Sequence, residues 1–226
     1  MNTFLLRLGI HKTFQAQINF ITTFAKDSTM SQPQIILASS SQTRKDLMNR
    51  LGIEYQSISP DIDESPQGER HADALAQRLA FEKAKAISTQ YPDAIVIGSD
   101  QVAWREGAPD IFIGKPLTQQ NAVKQLQANS DKIVYFSTAL SVQQLSIGFE
   151  QNLVEHYKVK FRKLGTAEIE RYVELDQPLH CAGSFKCESL GISLFEQMIG
   201  QDQTTLMGMP MIQLCNILRK IGLTLP

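Results

Sequence analysis

Residues 94–104 read AIVIGSDQVAW. The apolar run Ile95–Ile97 is typical of a strand that is buried on both faces, and we place that strand at Ala94 to Gly98. Asp100 follows two residues later. Burying even a neutral polar group without a partner costs roughly 2–7 kcal/mol. We therefore expect Asp100 either to cap a turn or to do chemistry at the end of this strand.

The segments around this strand predict an α/β fold with a mixed sheet. Strands and helices alternate in the first half of the chain, whereas apolar and charged residues alternate near Leu153 to Phe161, which is typical of an antiparallel strand with one wet face. The predicted strands are Gln34 to Ala38, Glu54 to Ser59 and Ile133 to Val142. The predicted helices are one capped by Ser41, one from Asp73 to Gln90, one capped by Thr118 that runs to about Gln127, a short one capped by Thr166, and a last one from near Pro210.

The length, charge and cysteine content of the chain argue against several classes of protein. The chain has 226 residues, enough for one large domain or two lobes that share a core. Its 22 basic and 23 acidic residues give a net charge of -1, so no overall field attracts nucleic acid or an anionic membrane. Three cysteines without a CxxC pair argue against a disulfide framework and fit a reducing cytoplasm. No apolar run approaches the roughly 20 residues that span a bilayer.

The first 29 residues differ in composition from the rest of the chain. They contain three basic residues and no acid before Asp27, which could indicate a targeting segment. However, the apolar run Phe4–Leu6 is too short for a secretory signal. We favour a natural start at Met30, with residues 1–29 as an extension that lies upstream of that start or is disordered, and residues 30–226 as one domain.

Two polar segments could bind phosphate or metal. Residues 39–45 place hydroxyls and basic side chains at a predicted helix N-terminus, where free N–H groups and the helix dipole favour an anion. An ordinary helix cap with solvated basic residues explains them equally well. Asp61, Asp63 and Glu64 form an acidic loop, a pattern more typical of a turn than of a metal site.

Two lysines complete the candidate groups. Lys83 lies on the apolar side of its predicted helix, where its stem either runs outward to solvent or directs a cation into a cleft. Lys115 lies in a rigid turn and is expected to face solvent. Basic groups, carboxylates and an acid near a strand end are the parts that phosphoryl transfer uses, which indicates a nucleotide or a phosphate ester. An acyl-transfer hydrolase is disfavoured because the serines lack a histidine partner and a GxSxG elbow.

Six motifs resemble a known family: ILASSSQTRKDLMNRLG, DIDE, RLAFEKA, IGSDQV, GKPLT and HCAGSFKCESLGI. Their order and spacing are similar to those of the Maf-like nucleotide pyrophosphatases, over Gln34 to Gly222. The resemblance implies a two-lobed Maf/ITPase-like α/β fold with a mixed sheet and a central nucleotide-binding cleft. It also implies hydrolysis of a nucleoside triphosphate to a monophosphate and pyrophosphate with a divalent cation, for which oxygen ligands favour Mg²⁺ or Mn²⁺. A homodimer is suggested by the family.

The resemblance implies roles for single residues. Asp100 corresponds to the proton acceptor that activates water, and Glu64 to an acid that handles metal or phosphate, so these two are the metal-ligand candidates. Lys83 and Lys115 count with them as catalytic. The phosphate-binding set of the family matches Ser39, Arg44, Lys83 and Lys115.

Three further positions bear on the base. Gln101 and Glu188 resemble the branch that hydrolyses 7-methyl-GTP, whereas the dTTP and UTP branch typically has Asp-Thr at the catalytic strand end. A glutamate can accept hydrogen bonds from the ring N–H and the exocyclic amine of guanine. The third specificity position is Thr43, where the 7-methyl-GTP branch often has a tryptophan that could stack on the cationic base.

The sequence therefore predicts a cytoplasmic 7-methyl-GTP pyrophosphatase that removes modified nucleotides. Two alternatives stay open. One is a pyrophosphatase for dTTP, UTP or a broad set of noncanonical triphosphates, and the other is a nucleotide-binding regulator of cell division that has lost turnover.

Overall fold

The computed structural model describes residues 33–225, so the expected extension at residues 1–29 lies outside the described residues. The elements run in the order β1 (Ile35–Ala38), α1 (Gln42–Asn49), β2 (Gln56–Ile58), α2 (Ala72–Ser88), β3 (Ile95–Arg105), β4 (Ala108–Ile113), α3 (Gln119–Asn129), β5 (Ile133–Gln144), β6 (Phe149–Phe161), α4 (Thr166–Asp176), β7 (Phe195–Ile199), α5 (Gln203–Leu206) and α6 (Met211–Lys220). In this part of the chain no helix is long and apolar enough to cross a membrane.

The strands form one mixed sheet, which confirms the predicted α/β class. Their order in the described residues is β2-β1-β3-β5-β6-β7, and β4 pairs with β3. Strand β1 runs parallel to β2 and to β3. The pairs β3–β4, β3–β5, β5–β6 and β6–β7 are antiparallel. All parallel pairing comes from the first half of the chain, and strands β5 to β7 of the second half pair only in antiparallel fashion, as the two hydrophobic patterns indicated.

The predicted end of the central strand at Gly98 is wrong. Strand β3 continues to Arg105, because β5 pairs with it without interruption from Val96 to Arg105. The apolar run marks only the part of the strand that is covered by apolar residues on both faces. Asp100 therefore lies inside a strand and is neither a turn cap nor a strand end.

The opposite edge of β3 changes partner beside Asp100. Strand β1 pairs with β3 up to Ile97, and β4 pairs with it from Ala103. Between these points, residues 98–102 pair with no strand on that edge within the described residues. This gap in the sheet is where a ligand could reach side chains from both faces of β3, including Asp100 and Gln101.

Helix α2 packs against one face of the sheet at Gly98. A methyl group at this position would overlap the carbonyl oxygen of Ala80 and come within 2.7 Å of the Ala84 nitrogen. Glycine is therefore required by the close approach of helix and strand. Because side chains alternate along a strand, Asp100 points to the α2 face and Gln101 to the other face.

That other face carries two hydrophobic clusters that correspond to the expected two lobes. The first cluster packs α1 and α6 on β1 and the start of β3; its members include Leu37, Leu47, Ile97, Met209, Leu214 and Leu218. The second packs α3 and α4 on β5 and β6; its members include Leu126, Phe136, Phe161, Ile169, Phe185 and Leu206. Met207 packs against both, so the segment around it joins the two lobes.

Local signals at helix starts give a mixed outcome. The Ser41 hydroxyl accepts a hydrogen bond from Arg44 N at 3.5 Å, and the Thr118 hydroxyl accepts one from Asn121 N, so both predicted caps are confirmed. The cap assigned to Thr166 is wrong. Helix α4 starts at that residue, because Ile169 N already donates to the Gly165 carbonyl.

Other predicted ends of helices and strands differ from the observed ones by one or two residues, because the ends of such elements fray. Helix α2 begins one residue before the predicted Asp73 and ends at Ser88 rather than at Gln90. Strand β2 covers only Gln56–Ile58 of the predicted Glu54 to Ser59, and β5 extends to Gln144.

Candidate active site

Lys83 links two acids across the gap. Its ammonium nitrogen lies 2.6 Å from Asp100 Oδ1 and 2.6 Å from Glu64 Oε1. The Lys83 side chain is 6% exposed and that of Asp100 is 11% exposed. The alternative in which the Lys83 stem runs outward to solvent is therefore wrong: the apolar neighbours on α2 bury the stem, and the cation points at the carboxylates.

The charges around Glu64 determine its protonation. Burial favours the neutral acid, but the Lys83 hydrogen bond and the positive charges of Lys83, Lys115 and Arg44 outweigh it, so the pKa of Glu64 lies below its usual value. Glu64 is thus ionised at neutral pH although it faces a second carboxylate. Three basic side chains from separate parts of the chain act on this one acid.

The loop that carries Glu64 is held by Arg78 of α2. Its guanidinium pairs with Glu69 through Nε and with Glu82 through Nη1, and Nη2 donates to the Ser65 carbonyl at 2.8 Å. Asp63 accepts from Ser65 N at 2.9 Å, which supports the turn interpretation for that acid. These contacts fix the loop over Lys83.

Arg44 reaches the gap from α1. Its Nε donates to the Gly208 carbonyl at 2.8 Å. Burial lowers the pKa of the guanidinium, while the negative charges of Asp100 and Glu64 oppose that shift. The anchored Nε leaves the two terminal amino groups in the plane that bidentate phosphate binding uses.

The start of α1 provides main-chain donors. Ser39 is buried, and its hydroxyl accepts from Ser41 N at 3.1 Å. The first-turn amides of Gln42 and Thr43 have no partner inside the helix. The Thr43 side chain is half-buried at this position. The two serines hold the turn, and the helix start presents free N–H groups to an anion.

Lys115 lies on an exposed, braced turn, as expected. Asn121 Nδ2 donates to the Pro116 carbonyl at 3.0 Å and Gln125 Nε2 donates to the Gly114 carbonyl at 3.1 Å. Side chains of α3 therefore hold the turn on both sides of the lysine. The positive charge of Lys115 contributes to the lowered pKa of Glu64.

Gln101 lies on the opposite face of β3 from Asp100. Its amide nitrogen donates to the carbonyls of Thr205 at 2.8 Å and Leu206 at 3.1 Å, and to Thr138 Oγ1 at 2.9 Å. These contacts are neutral, in contrast to the ion pairs on the α2 face.

Glu188 is exposed in the loop between α4 and β7. Ser189 Oγ donates to Asp176 Oδ1 at 2.6 Å and Lys186 Nζ donates to the Asp176 carbonyl at 2.6 Å, so the loop is fixed on both sides of the glutamate. The adjacent Cys187 belongs to the same hydrophobic cluster as Leu206, the neighbour of Gln101. No hydrogen bond between described residues joins Glu188 to Gln101.

Asp100 and Glu64 are the two residues of the site that could hold a hard divalent cation. Asp100 and Glu64 both direct an oxygen to the position that Lys83 Nζ occupies. Within residues 33–225 no group of three or more His, Cys, Asp and Glu side chains could hold a metal by itself. Magnesium is commonly bound by one or two carboxylates plus substrate phosphates, and the donor set matches that mode.

Three residues of the site were not predicted from the sequence. Arg78 lies inside the motif RLAFEKA, and its spacing of four residues from Glu82 was the available signal. Gly208, with φ of 106°, stands two residues before Pro210, a pattern of a tight turn before a helix. Thr138 gives no sequence signal, because a threonine in a strand is ordinary.

Comparisons with known proteins identify the family of the chain. A family model described as Maf-like protein matches residues 34–221. A protein of Acinetobacter baylyi named nucleoside triphosphate pyrophosphatase is 68% identical over 192 residues, which cover 85% of this chain and 97% of that protein.

Two solved structures also align with part of the chain. The Ham1 protein of Staphylococcus aureus aligns with 57% of this chain and 72% of that chain, at 16% identity and a TM-score of 0.41. A HAM1 protein from Coxiella burnetii aligns with 59% and 75%, at 19% identity and a TM-score of 0.41.

Proposed function

The chain belongs to the family of Maf-like proteins, and we propose that it is a nucleoside triphosphate pyrophosphatase whose substrate is 7-methyl-GTP. The observation that carries the reaction type is the contact of the buried Lys83 ammonium with Asp100 and Glu64, beside Arg44 and the start of α1. This arrangement combines a carboxylate that can accept a proton from water with basic side chains that can bind a triphosphate.

In the proposed reaction, Asp100 takes a proton from a water molecule while the oxygen of that water attacks the α-phosphorus. A new bond forms between the water oxygen and phosphorus, and the bond from the α-phosphorus to the oxygen bridging the β-phosphate breaks. The electron pair leaves with pyrophosphate, and the nucleoside monophosphate remains. A carboxylate base of this kind typically contributes about 10²–10⁴ in rate.

The basic residues position the phosphates and neutralise charge. Lys83 lies between the two carboxylates and can exchange one of these contacts for a phosphate oxygen. Arg44 is anchored by Gly208, and the Lys115 turn is braced by α3. Residues that are already held lose little freedom on binding, so they stabilise the transition state without reorganisation.

We propose that Asp100 and Glu64 hold Mg²⁺ or Mn²⁺ together with the triphosphate. When bound, the cation supplies charge neutralisation on the phosphate oxygens and helps to ionise water. The ionised state of Glu64 at neutral pH, which follows from its lowered pKa, supports this assignment.

We propose that Gln101 and Glu188 select the base. Guanine offers its ring N–H and exocyclic amine as donors, and both side chains carry acceptor oxygens. Methylation at N7 adds positive charge to the base, which favours a pocket that contains a carboxylate. Thr43 supplies no aromatic ring for stacking, so the selectivity depends on these polar groups.

We also propose that the protein acts in the cytoplasm. All three cysteines are free. Burial, together with the negative charge of Glu188, raises the pKa of Cys181 to about 11 and that of Cys187 to about 12. Such thiols stay protonated and unreactive, as expected of structural cysteines.

Pyrophosphate release from 7-methyl-GTP, GTP, dTTP and UTP, with added Mg²⁺ or Mn²⁺ and with chelator, tests the proposal. We expect kcat/KM for 7-methyl-GTP to exceed that for each of the others by at least about tenfold, a difference of about 1.4 kcal/mol, and to vanish with chelator. A preference for dTTP or UTP would assign the chain to the pyrimidine branch. Binding without turnover of any of the four would favour a regulator instead.

A further inference from the structure

The hydrogen bonds of Gln101 determine which end of its amide faces the gap. The carbonyl oxygens of Thr205 and Leu206 can only accept, so the amide nitrogen must point to them. The amide oxygen then points away. Within the described residues this oxygen has no hydrogen-bond donor, so it is available to a ligand as an acceptor.

Thr138 completes this arrangement from the neighbouring strand. It lies directly opposite Gln101 in the pairing of β3 with β5 and is fully buried. Its hydroxyl accepts from Gln101 Nε2 at 2.9 Å and donates to the Thr205 carbonyl at 2.9 Å. The single hydroxyl therefore bridges the amide and the segment that the amide contacts.

The segment from Thr205 to Met209 connects the two lobes. Leu206 is buried in the cluster of α3 and α4, whereas Met209 is buried in that of α1 and α6. The Gly208 carbonyl accepts from Arg44 Nε at 2.8 Å. One short segment thus holds the amide on the base side and the guanidinium on the phosphate side.

We propose that Thr138 is a positioning residue for base selection: its hydroxyl bonds both the Gln101 amide nitrogen and the Thr205 carbonyl. It thereby supports the orientation in which the amide nitrogen points to the Thr205–Leu206 carbonyls and the amide oxygen points toward the nucleobase. The inference rests on the proposed function, since it assumes that Gln101 faces the base. An amide held in this orientation accepts from a base edge that offers donors, as guanine does, and it cannot donate to a base that offers acceptors.

Loss of the hydroxyl loosens this arrangement. In Thr138→Val the volume is nearly kept, but the Thr205 carbonyl loses one donor and the amide nitrogen loses one of three acceptors. The two carbonyls still attract the amide nitrogen, but the segment that carries them is no longer bonded to β5 through Thr138, so the amide oxygen is held less firmly toward the base. Because discrimination between substrates depends on how well buried polar groups pair with the base, selectivity is expected to fall more than turnover.

The test compares Thr138→Val, Thr138→Ser and the matched control Ser137→Ala, which removes a neighbouring buried hydroxyl of β5 from the other face. For each, kcat/KM is measured for the nucleotide that the wild type prefers and for the one that it accepts least. We expect this ratio to fall about tenfold in Thr138→Val and to stay within about threefold of the wild type in the other two. The kcat for the preferred nucleotide should change less than about threefold in all three.

A purely structural role would lower activity on all nucleotides alike and leave the ratio unchanged. An unchanged ratio in a folded Thr138→Val protein, judged by circular dichroism, overturns the inference, as does a Thr138→Ser variant that loses selectivity equally. If Thr138→Val does not fold, Thr138→Cys replaces it, because a thiol is only a weak donor. The ratio is defined whichever base the wild type prefers, so failure of the 7-methyl-GTP proposal is seen separately in the wild-type panel.

Discussion

Asp100 and Gln101 are adjacent in the chain and differ in almost everything that surrounds them. On the α2 face, Asp100 pairs with a buried ammonium that also pairs with Glu64. On the other face, Gln101 makes neutral hydrogen bonds to main-chain carbonyls and to Thr138. One face holds concentrated charge, and the other holds directional, uncharged contacts.

We propose that this difference separates two tasks of one site, phosphate binding and base selection. Charge interactions are strong and tolerate small shifts, which suits the triphosphate that all substrates share. Neutral hydrogen bonds discriminate between bases, because a base with the wrong donors or acceptors leaves a buried polar group unpaired, which costs about 1–3 kcal/mol. The proposed function requires a single nucleotide to contact both faces of β3 at the gap in the sheet at residues 98–102.

The largest expected effect is on the charged face. Lys83→Met keeps the apolar stem but leaves the carboxylates of Asp100 and Glu64 facing each other without a cation. We expect kcat to fall by about 10²–10³, as for loss of one key electrostatic group elsewhere, on every nucleotide alike. Lys85→Met, which removes an exposed lysine of the same helix, is the control for charge. A fall in kcat that is restricted to nucleotides with one base would contradict the separation of phosphate binding from base selection.

Gly98→Ala tests the spacing between α2 and β3. The added methyl group overlaps the Ala80 carbonyl, so the helix that carries Lys83 must move away from Asp100. We expect a loss of about 1–3 kcal/mol in the free energy of unfolding, measured by urea denaturation, together with lower kcat. Gly114→Ala is the control, because nothing lies within 4 Å of its added methyl group. Equal stability of the two variants would contradict the close packing.

The pH dependence of stability tests the charge on Glu64. Its pKa is lowered in the folded protein, so the ionised side chain contributes stability above the usual glutamate value of about 4.3 and loses it as pH falls through the lowered value. We expect Glu64→Gln to be less stable than the wild type at neutral pH, by less than about 1 kcal/mol because the side chain is half exposed. This difference should start to shrink as the pH falls below about 4.3 and be lost once the pH lies below the lowered pKa of the folded state. A difference that grows on acidification would have the wrong sign.

Thr43→Trp should give the smallest effect and acts on the base side. A tryptophan at the start of α1 can stack on a cationic methylated base, and such contacts contribute about 0.5–1 kcal/mol at exposed sites. We expect the kcat/KM ratio of 7-methyl-GTP to GTP to rise by about two- to fivefold. Thr43→Leu controls for bulk, and an equal rise in that variant would exclude stacking as the cause.

Local signals in the sequence predicted much of this fold. Ser41 and Thr118 cap helices as predicted, because a helix cap depends on residues within one turn. Lys83 stood out because a cation on an apolar helix face needs a partner. The extent of β3 was not predictable from its own residues, since pairing with β5 extends it beyond the apolar run.

The base side of the site was the least accessible to sequence reasoning. Gln101 contacts the Thr205 carbonyl 104 positions away, and a main-chain acceptor can belong to any residue type. The ion pair of Lys83 with Asp100 spans 17 positions, but charged residues at least mark themselves in a sequence. Neutral contacts to main-chain groups become visible only when the chain is folded.

Calorimetric titration of Asp100→Asn with 7-methyl-GTP and with dTTP tests the separation of tasks most directly. The variant lacks the carboxylate that accepts the proton from water but keeps Gln101 on the opposite face of β3. Intact triphosphates can therefore bind without being hydrolysed. We predict turnover reduced by about 10³ and a dissociation constant for 7-methyl-GTP at least about tenfold lower than that for dTTP. Turnover close to that of the wild type, or equal affinity for both nucleotides, would contradict the separation of tasks between the two faces of β3.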